Sequence, residues 1–303
     1  MSMRRIFKII FRKSPKVYWN YIRLLGIFSK FVMYLMKVHR VRVMEEEWDY
    51  LIILDACRYD YFKKYNNMKG ELKKKITGCS CTPEWLKENF SGYYGDVVYI
   101  SANPYISNVE FHGFKGFEHF FKVEPVWDYG WDKETGTVHP RKLVEAALKV
   151  GKHYPNKRMI IHFLQPHAPY IGKTKISRRE VNINDNTPKD ETIQEIWRLV
   201  INGKIPINEL KKAYEDNLKL VLKEVQRLIE KLEGRIVVTS DHGECFGEWF
   251  VYGHPEGIYI KQLVEVPWLV IEGGVKQRSK KIKVDEKEEI KKTVKKLKDL
   301  RKI

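Results

Sequence analysis

A chain of 303 residues, 43% hydrophobic and 31% charged, has the length for one large domain or two small ones and is excluded from the collagen-like, low-complexity and wholly disordered classes. Its net charge of +17 would suggest nucleic acid, but the charge sits at the ends: residues 1–44 hold 11 Lys/Arg and no acid, residues 276–303 hold 13 Lys/Arg against 5 acids, and the body, 45–275, holds 32 basic against 34 acidic residues. With a near-neutral body and no helix-turn-helix, zinc-finger or RRM pattern, no nucleic-acid partner is expected.

In the front segment Arg4, Arg5, Lys8, Arg12, Lys13 and Lys16 interleave with Ile6, Phe7, Ile9, Ile10 and Phe11. The longest apolar run, Leu24 to Met36, is interrupted by Lys30 and falls short of the roughly 20 residues a spanning helix needs. No small-residue cleavage site follows it. A basic, aromatic, amphipathic helix fits a membrane interface, where anionic headgroups add about 1 kcal/mol per nearby Lys or Arg. The alternative is a helix packed on the body or on another subunit. The four cysteines are too few for a disulfide scaffold and fit a reducing compartment. The expectation is therefore a cytoplasmic protein with a peripheral membrane contact through residues 1–44.

Five apolar runs read as strands. Tyr50–Leu54 ends in Asp55-Ala56-Cys57-Arg58, Val97–Ile100 ends in Ser101-Ala102-Asn103, and Met159–Leu164 ends in Gln165-Pro166-His167. Arg235–Thr239 ends in Ser240-Asp241-His242-Gly243-Glu244, and Val266–Ile271 contains Pro267, which places it near a sheet edge. A helix is expected after the first strand, over about 58–65. Another opens at Pro140 over about 140–150. The period of Ile207, Leu210, Tyr214, Leu218, Val221, Val225, Leu228 and Leu232 predicts a long one over about 206–232, with Gly234 as its terminator. Segment 173–204 reads as a polar insertion or lid. The aromatic stretch 93–131 reads as a small satellite core or as a stacking wall for a ligand. Residues 276–303 read as a solvated basic helix. Strands alternating with helices make an α/β fold with a mostly parallel central sheet flanked by helices, organised as a basic N-terminal segment (1–44), a folded body (45–275) and a basic C-terminal helix (276–303).

In such sheets ligands gather at the carboxyl ends of strands. Asp55, His167, Asp241 and His242 all fall there, and His254 follows in Gly253-His254-Pro255. Carboxylate and imidazole together suit a divalent cation, Zn²⁺ or Mn²⁺ first and Ca²⁺ or Mg²⁺ as alternatives.

These motifs, Leu54-Asp55-Ala56-Cys57-Arg58, Ser240-Asp241-His242-Gly243-Glu244, Gly253-His254-Pro255 and Val266-Pro267-Trp268, resemble the alkaline phosphatase/sulfatase superfamily over roughly residues 48–273. The order of site residues is similar to that of lipoteichoic acid synthases and phosphoethanolamine transferases. The resemblance implies an alkaline-phosphatase-like fold and a metal held by Asp55, Asp241, His242 and a nucleophile that opens a helix. The matching stretch is Ser80-Cys81-Thr82-Pro83-Glu84-Trp85. Cys81 stands in the register of the sulfatase Cys-x-Pro-x-Arg pattern, but Trp85 replaces the Arg, which argues against conversion of Cys81 to formylglycine. Phosphotransferase branches use Thr, so Thr82 competes with Cys81 on equal terms, with Ser80 third. By the same resemblance His167 contacts the oxygens of the transferred group, and His254 is expected to contact substrate or a loosely bound second ion. Gln165, standing near a second-metal Asp of the two-metal phosphatases, favours a single metal. Glu244 is expected to buttress its loop, and Arg58 to meet either substrate anions or a structural ion pair. The implied activity is metal-dependent phosphoryl or substituted-phosphoryl transfer or hydrolysis on an anionic ester, membrane- or glycan-linked. The alternatives are a sulfatase and a non-catalytic membrane-docked scaffold.

Overall fold

The computed structural model describes residues 14–110, 113–176 and 196–273. Residues 1–13 of the front segment, the expected C-terminal helix and most of the polar insertion lie outside the described residues.

Among the described residues the central sheet has seven strands. They are β1 (Tyr50–Leu54), β2 (Glu71–Ile76), β3 (Tyr94–Ser101), β4 (Phe120–Pro125), β5 (Arg158–Phe163), β6 (Arg235–Thr239) and β7 (Glu265–Glu272), in the spatial order β2-β7-β6-β1-β5-β3-β4. β1 lies between β5 and β6 and runs parallel to both. β7 pairs antiparallel with β6 on one side and β2 on the other. β1 is apolar on every residue because both faces are covered. Ile52, Leu54, Ile161 and Val238 meet the apolar faces of helices α4 (Pro140–His153) and α5 (Ile207–Ile229), including Leu143, Ala147, Leu218 and Val225. Leu51, Ile53, Tyr99 and Ile160 meet Trp85 and Leu86 of α3 (Thr82–Asn89). The short α2 (Tyr59–Tyr65) follows β1, and α1 (Pro15–Leu35) opens the described chain.

β7 lies next to the edge strand, near the sheet edge as expected, and three other features depart from the sequence expectation. Pro267 is tolerated because β6 reaches β7 only from Trp268 onward, so the proline sits where β7 is paired on the β2 side alone. β2, reading Glu-Leu-Lys-Lys-Lys-Ile, was not expected as a strand. It forms the sheet edge, where outward lysines discourage pairing with another chain. β4, the other edge, lies inside the aromatic stretch. Phe114 and Phe120 of that stretch pack with Phe90, as a satellite core would, whereas Tyr129 is exposed. Gly234 does not terminate α5, which ends at Ile229. It adopts φ +118° before β6, where a Cβ would meet Asp49 Oδ2 at 2.5 Å. Of the polar insertion, Trp197 and Val200 pack against Leu210, Tyr214 and Phe246.

Candidate active site

Parallel pairing of β1 with β5 and β6 brings their carboxyl ends to one edge of the sheet, so residues far apart in sequence become neighbours. Asp55 leaves β1 and is buried. Its Oδ2 accepts a hydrogen bond from Asn103 Nδ2 at 2.7 Å. The Asn103 Oδ1 accepts from the Tyr105 N–H, which fixes the orientation of that amide. Asp55 Oδ1 has no hydrogen-bond partner. Asp241 leaves β6, and its Oδ1 accepts from the N–H groups of Ala56 (3.1 Å) and His242 (2.9 Å). Ala56 is held at φ +58° to make that bond, a strained choice for a residue with a Cβ. Ser240 Oγ ties the two strand ends, accepting from the Cys57 N–H at 2.8 Å and lying 2.6 Å from the Leu54 carbonyl.

Thr82 is the first residue of α3. Its hydroxyl donates to Asp241 Oδ2 at 2.8 Å and lies 3.4 Å from His242 Nε2. His242 Nε2 is 3.3 Å from Asp241 Oδ2 and 3.7 Å from Asp55 Oδ1. His242 Nδ1 lies 2.8 Å from the Gly243 carbonyl. A carbonyl only accepts, so in the neutral ring Nδ1 carries the proton and Nε2 offers its lone pair to the carboxylates' side. The four residues Asp55, Thr82, Asp241 and His242 therefore converge in one buried cluster.

His162, inside the apolar run of β5, belongs to the same place and was not singled out in the sequence. Asp55, His162 and Asp241 present ligand atoms within 4.8 Å of one another. His162 Nε2 has no hydrogen-bond partner and lies 3.9 Å from Asp241 Oδ2, while its Nδ1 lies 2.8 Å from the Tyr99 hydroxyl. Asn103 was likewise not anticipated as a site residue. No spacing signal marks either, because each enters the site through a strand pairing.

A second cluster adjoins the first. His167 Nδ1 lies 2.6 Å from the Ala168 carbonyl, and His254 Nδ1 lies 2.9 Å from Glu244 Oε1. His167, Glu244 and His254 form another group with ligand atoms within 4.8 Å. The His254 ring centroid is 4.5 Å from that of His242 and 5.0 Å from that of His167. Glu244 thus serves His254 directly. Gln165 donates its amide N–H groups to Thr137 Oγ1 and the Val138 carbonyl, and its Oε1 has no hydrogen-bond partner.

Burial pushes the Asp55 carboxyl well up, and facing Asp241 adds to the rise. Burial pushes His242 well below the usual imidazole value, pushes His167 down, and takes His162 down to about 4. His254 moves the other way: burial opposes its charge, but the Glu244 carboxylate overcomes burial and raises it. Two buried carboxylates with an unpartnered oxygen, beside imidazole lone pairs that resist protonation, form a donor set that a divalent cation would satisfy.

Cys81 caps α3 and is buried with its thiol pushed up to about 12, chiefly by burial. It makes no hydrogen bond to the Asp55–Asp241–His242 cluster. Arg58 is committed elsewhere. Its guanidinium donates to Asp60 (2.9 and 2.6 Å), Glu248 (2.6 Å) and the Glu244 carbonyl (3.2 Å), which is the structural ion pair of the two roles expected. Ser80 is turned to Glu84 Oε2 and the Gly257 N–H.

A family model described as Sulfatase matches residues 56–297. The chain belongs to the sulfatase family. It is therefore an enzyme of the alkaline phosphatase/sulfatase superfamily, whose members act on phosphate or sulfate esters. Among curated proteins no sequence matches the chain. Similar solved structures include the soluble domain of lipooligosaccharide phosphoethanolamine transferase A from Neisseria meningitidis, at 13% identity over 73% of this chain and 75% of that one, TM-score 0.45. The integral membrane form of that transferase matches at 14% identity over 73% of this chain, TM-score 0.47, and this chain spans 46% of its length. The lipoteichoic acid synthase LtaP of Listeria monocytogenes matches at 13% identity over 76% of this chain and 66% of that one, TM-score 0.43. Among the described residues no helix is long and apolar enough to cross a membrane.

Proposed function

We propose that this sulfatase-family enzyme transfers a phosphoryl or substituted-phosphoryl group through a covalent intermediate on Thr82. The observation that carries this reading is the position of the Thr82 hydroxyl, 2.8 Å from Asp241 Oδ2 and 3.4 Å from His242 Nε2. Asp55, Asp241, His242 and the Thr82 oxygen would hold a divalent cation, with His162 beside them. Imidazole among carboxylates favours Zn²⁺ or Mn²⁺ over Ca²⁺ or Mg²⁺, which prefer all-oxygen shells. Such a cation, when bound, lowers the pKa of the nucleophile's hydroxyl and offsets charge on the transferred group.

The protein's own groups divide the remaining work. Asn103 and the Ala56 and His242 N–H groups orient the two carboxylates. The opposite shifts of His254 and His167 suit an acid and a base. As the Thr82 oxygen bonds phosphorus, its hydroxyl proton passes to Asp241 Oδ2, the partner it already has, the bond from phosphorus to the leaving oxygen breaks, and His254, whose hold on a proton Glu244 strengthens, protonates that oxygen. His167, kept neutral and proton-bearing at Nδ1, then takes the proton of the incoming water or acceptor hydroxyl at Nε2 as its oxygen bonds phosphorus, and the Thr82 ester bond breaks with Thr82 regaining its proton from Asp241. Arg58 positions the 244–248 turn. Residues 45–275 carry this chemistry, with the basic ends peripheral to it. The substrate is an anionic ester on a membrane lipid or a glycan, met at the cytoplasmic face of a membrane.

The test compares turnover of p-nitrophenyl phosphate, phosphodiester and sulfate by metal-loaded protein, with acid quenching to trap phosphothreonine at residue 82. Preferred turnover of the sulfate ester, together with a loss of about 18 daltons at Cys81 marking formylglycine, replaces this reading with the sulfatase. No metal and no turnover replaces it with the scaffold.

A further inference from the structure

Helix α1 is apolar on two sides. Inward, Ile22 and Met33 are buried with Cys245, Val251, Ile258 and Leu263. Gly26 permits the contact, since a Cβ there would lie 2.8 Å from the Gly257 carbonyl oxygen. Tyr21 donates its hydroxyl to the Trp249 carbonyl at 2.7 Å, and the Tyr259 N–H donates to Ser29 Oγ at 3.0 Å. Outward, at about 100° per residue, the helix presents Leu24, Ile27, Phe28, Phe31 and Leu35. These side chains are 66%, 61%, 62%, 57% and 60% exposed. A helix resting one face on a core ordinarily turns polar residues outward, and a contiguous stripe of large apolar side chains marks a contact surface.

Charge selects the occupant. Arg23 and Lys30, seven residues apart, run along one border of the stripe, Lys37 follows just past the helix end, and residues 1–44 contain no acid. The ion pairs of the described chain begin only at Arg40–Glu88. A second copy would bring two basic borders together with no carboxylate from this segment to neutralise them. A surface of lipid phosphates matches both the stripe and its border.

We propose that α1 lies in the headgroup region of an anionic phospholipid bilayer, with the Leu24–Leu35 stripe among the acyl chains and Arg23, Lys30 and Lys37 at lipid phosphates. Docked so, α1 sits between the bilayer and the 245–264 segment that carries His254. Gly257 and Tyr259 of that segment contact Ser80 and Glu84 next to Thr82. Docking stands without the proposed chemistry. Its corollary, that the ester is borne by a lipid, rests on that reading.

The test is flotation of the full chain with phosphatidylcholine vesicles, with and without phosphatidylglycerol. The expected result is binding to the mixed vesicles, weakened by salt and reduced about fivefold for each charge removed in R23Q, K30Q and K37Q. F28E/F31E should abolish flotation while the circular dichroism melt and p-nitrophenyl ester turnover stay at wild-type values. Turnover in solution reads the chemistry, so its failure is told apart from failure to float. The proposal is overturned by flotation on neither vesicle, by flotation undiminished in F28E/F31E, or by a wild-type dimer that F28E/F31E converts to monomer without vesicle binding.

Discussion

Replacing Thr82 by valine keeps the branched shape and removes one oxygen. In the metal-free protein that oxygen is the donor to Asp241 Oδ2, and a hydrogen bond to a buried charged group is worth about 1.5–3 kcal/mol. Asp241 keeps two N–H donors on its other oxygen, which places the loss at the low end, about 1.5 kcal/mol. Thermal melting in the presence of chelator should then fall by roughly 3–6 °C. Turnover should respond on another scale, because loss of a covalent nucleophile costs on the order of 10⁴-fold or more in kcat. Cys81→Ser, altering a side chain that makes no hydrogen bond to the cluster, should leave turnover near wild type and leave the phosphothreonine peptide intact. The reasoning fails if Thr82→Val turns over normally while Cys81→Ser is inactive.

Asn103→Leu withdraws the amide that holds Asp55 Oδ2 and should weaken divalent-cation affinity by about 10–100-fold, as for other groups that orient a ligand; calorimetric titration reads this, and an unchanged affinity would remove Asn103 from the account. Glu244 raises His254 in the folded state, so the pair's stabilisation is complete below the unfolded value of about 6.5 and disappears as pH rises through the folded value. Urea titrations of metal-free Glu244→Gln should therefore show a larger loss at acidic than at alkaline pH, and an equal loss at both would contradict the assignment. The lowered imidazoles His242, His167 and His162 act in the opposite sense, costing stability as pH falls below about 6.5 because the unfolded chain takes up protons first. Gly26→Val forces α1 away from the Gly257 carbonyl and should destabilise by about 1–3 kcal/mol in chemical denaturation; no change would mean that the helix is not seated as described.

The legible parts of the sequence were those in which one local pattern decides one element. Tyr50–Leu54 is a continuous apolar run that stops at Asp55, Arg235–Thr239 is built on Ile236-Val237-Val238 with Asp241 two residues past its end, and both strands have those bounds. Their parallel pairing through β1 made the convergence of Asp55, Asp241 and His242 inferable. β2 was hidden because an edge strand tolerates lysine at several positions, which erases the apolar run. His162 was hidden because an apolar strand gives no sign of which interior residue faces the strand ends' cluster, and Asn103 because its partner Asp55 lies 48 residues away. Cys81 and Thr82, adjacent at a helix start, share one local pattern, so nothing in the sequence signalled that the Thr82 hydroxyl would be the one to reach Asp241.

The central claim is that the cluster of Asp55, Thr82, Asp241 and His242 is built around a cation. Anomalous diffraction from crystals grown with Zn²⁺ or Mn²⁺ tests it most directly. The account predicts a peak within bonding distance of the Asp55 and Asp241 carboxylates, His242 Nε2 and the Thr82 oxygen; a cation bound elsewhere, or no peak among those four side chains, would contradict it.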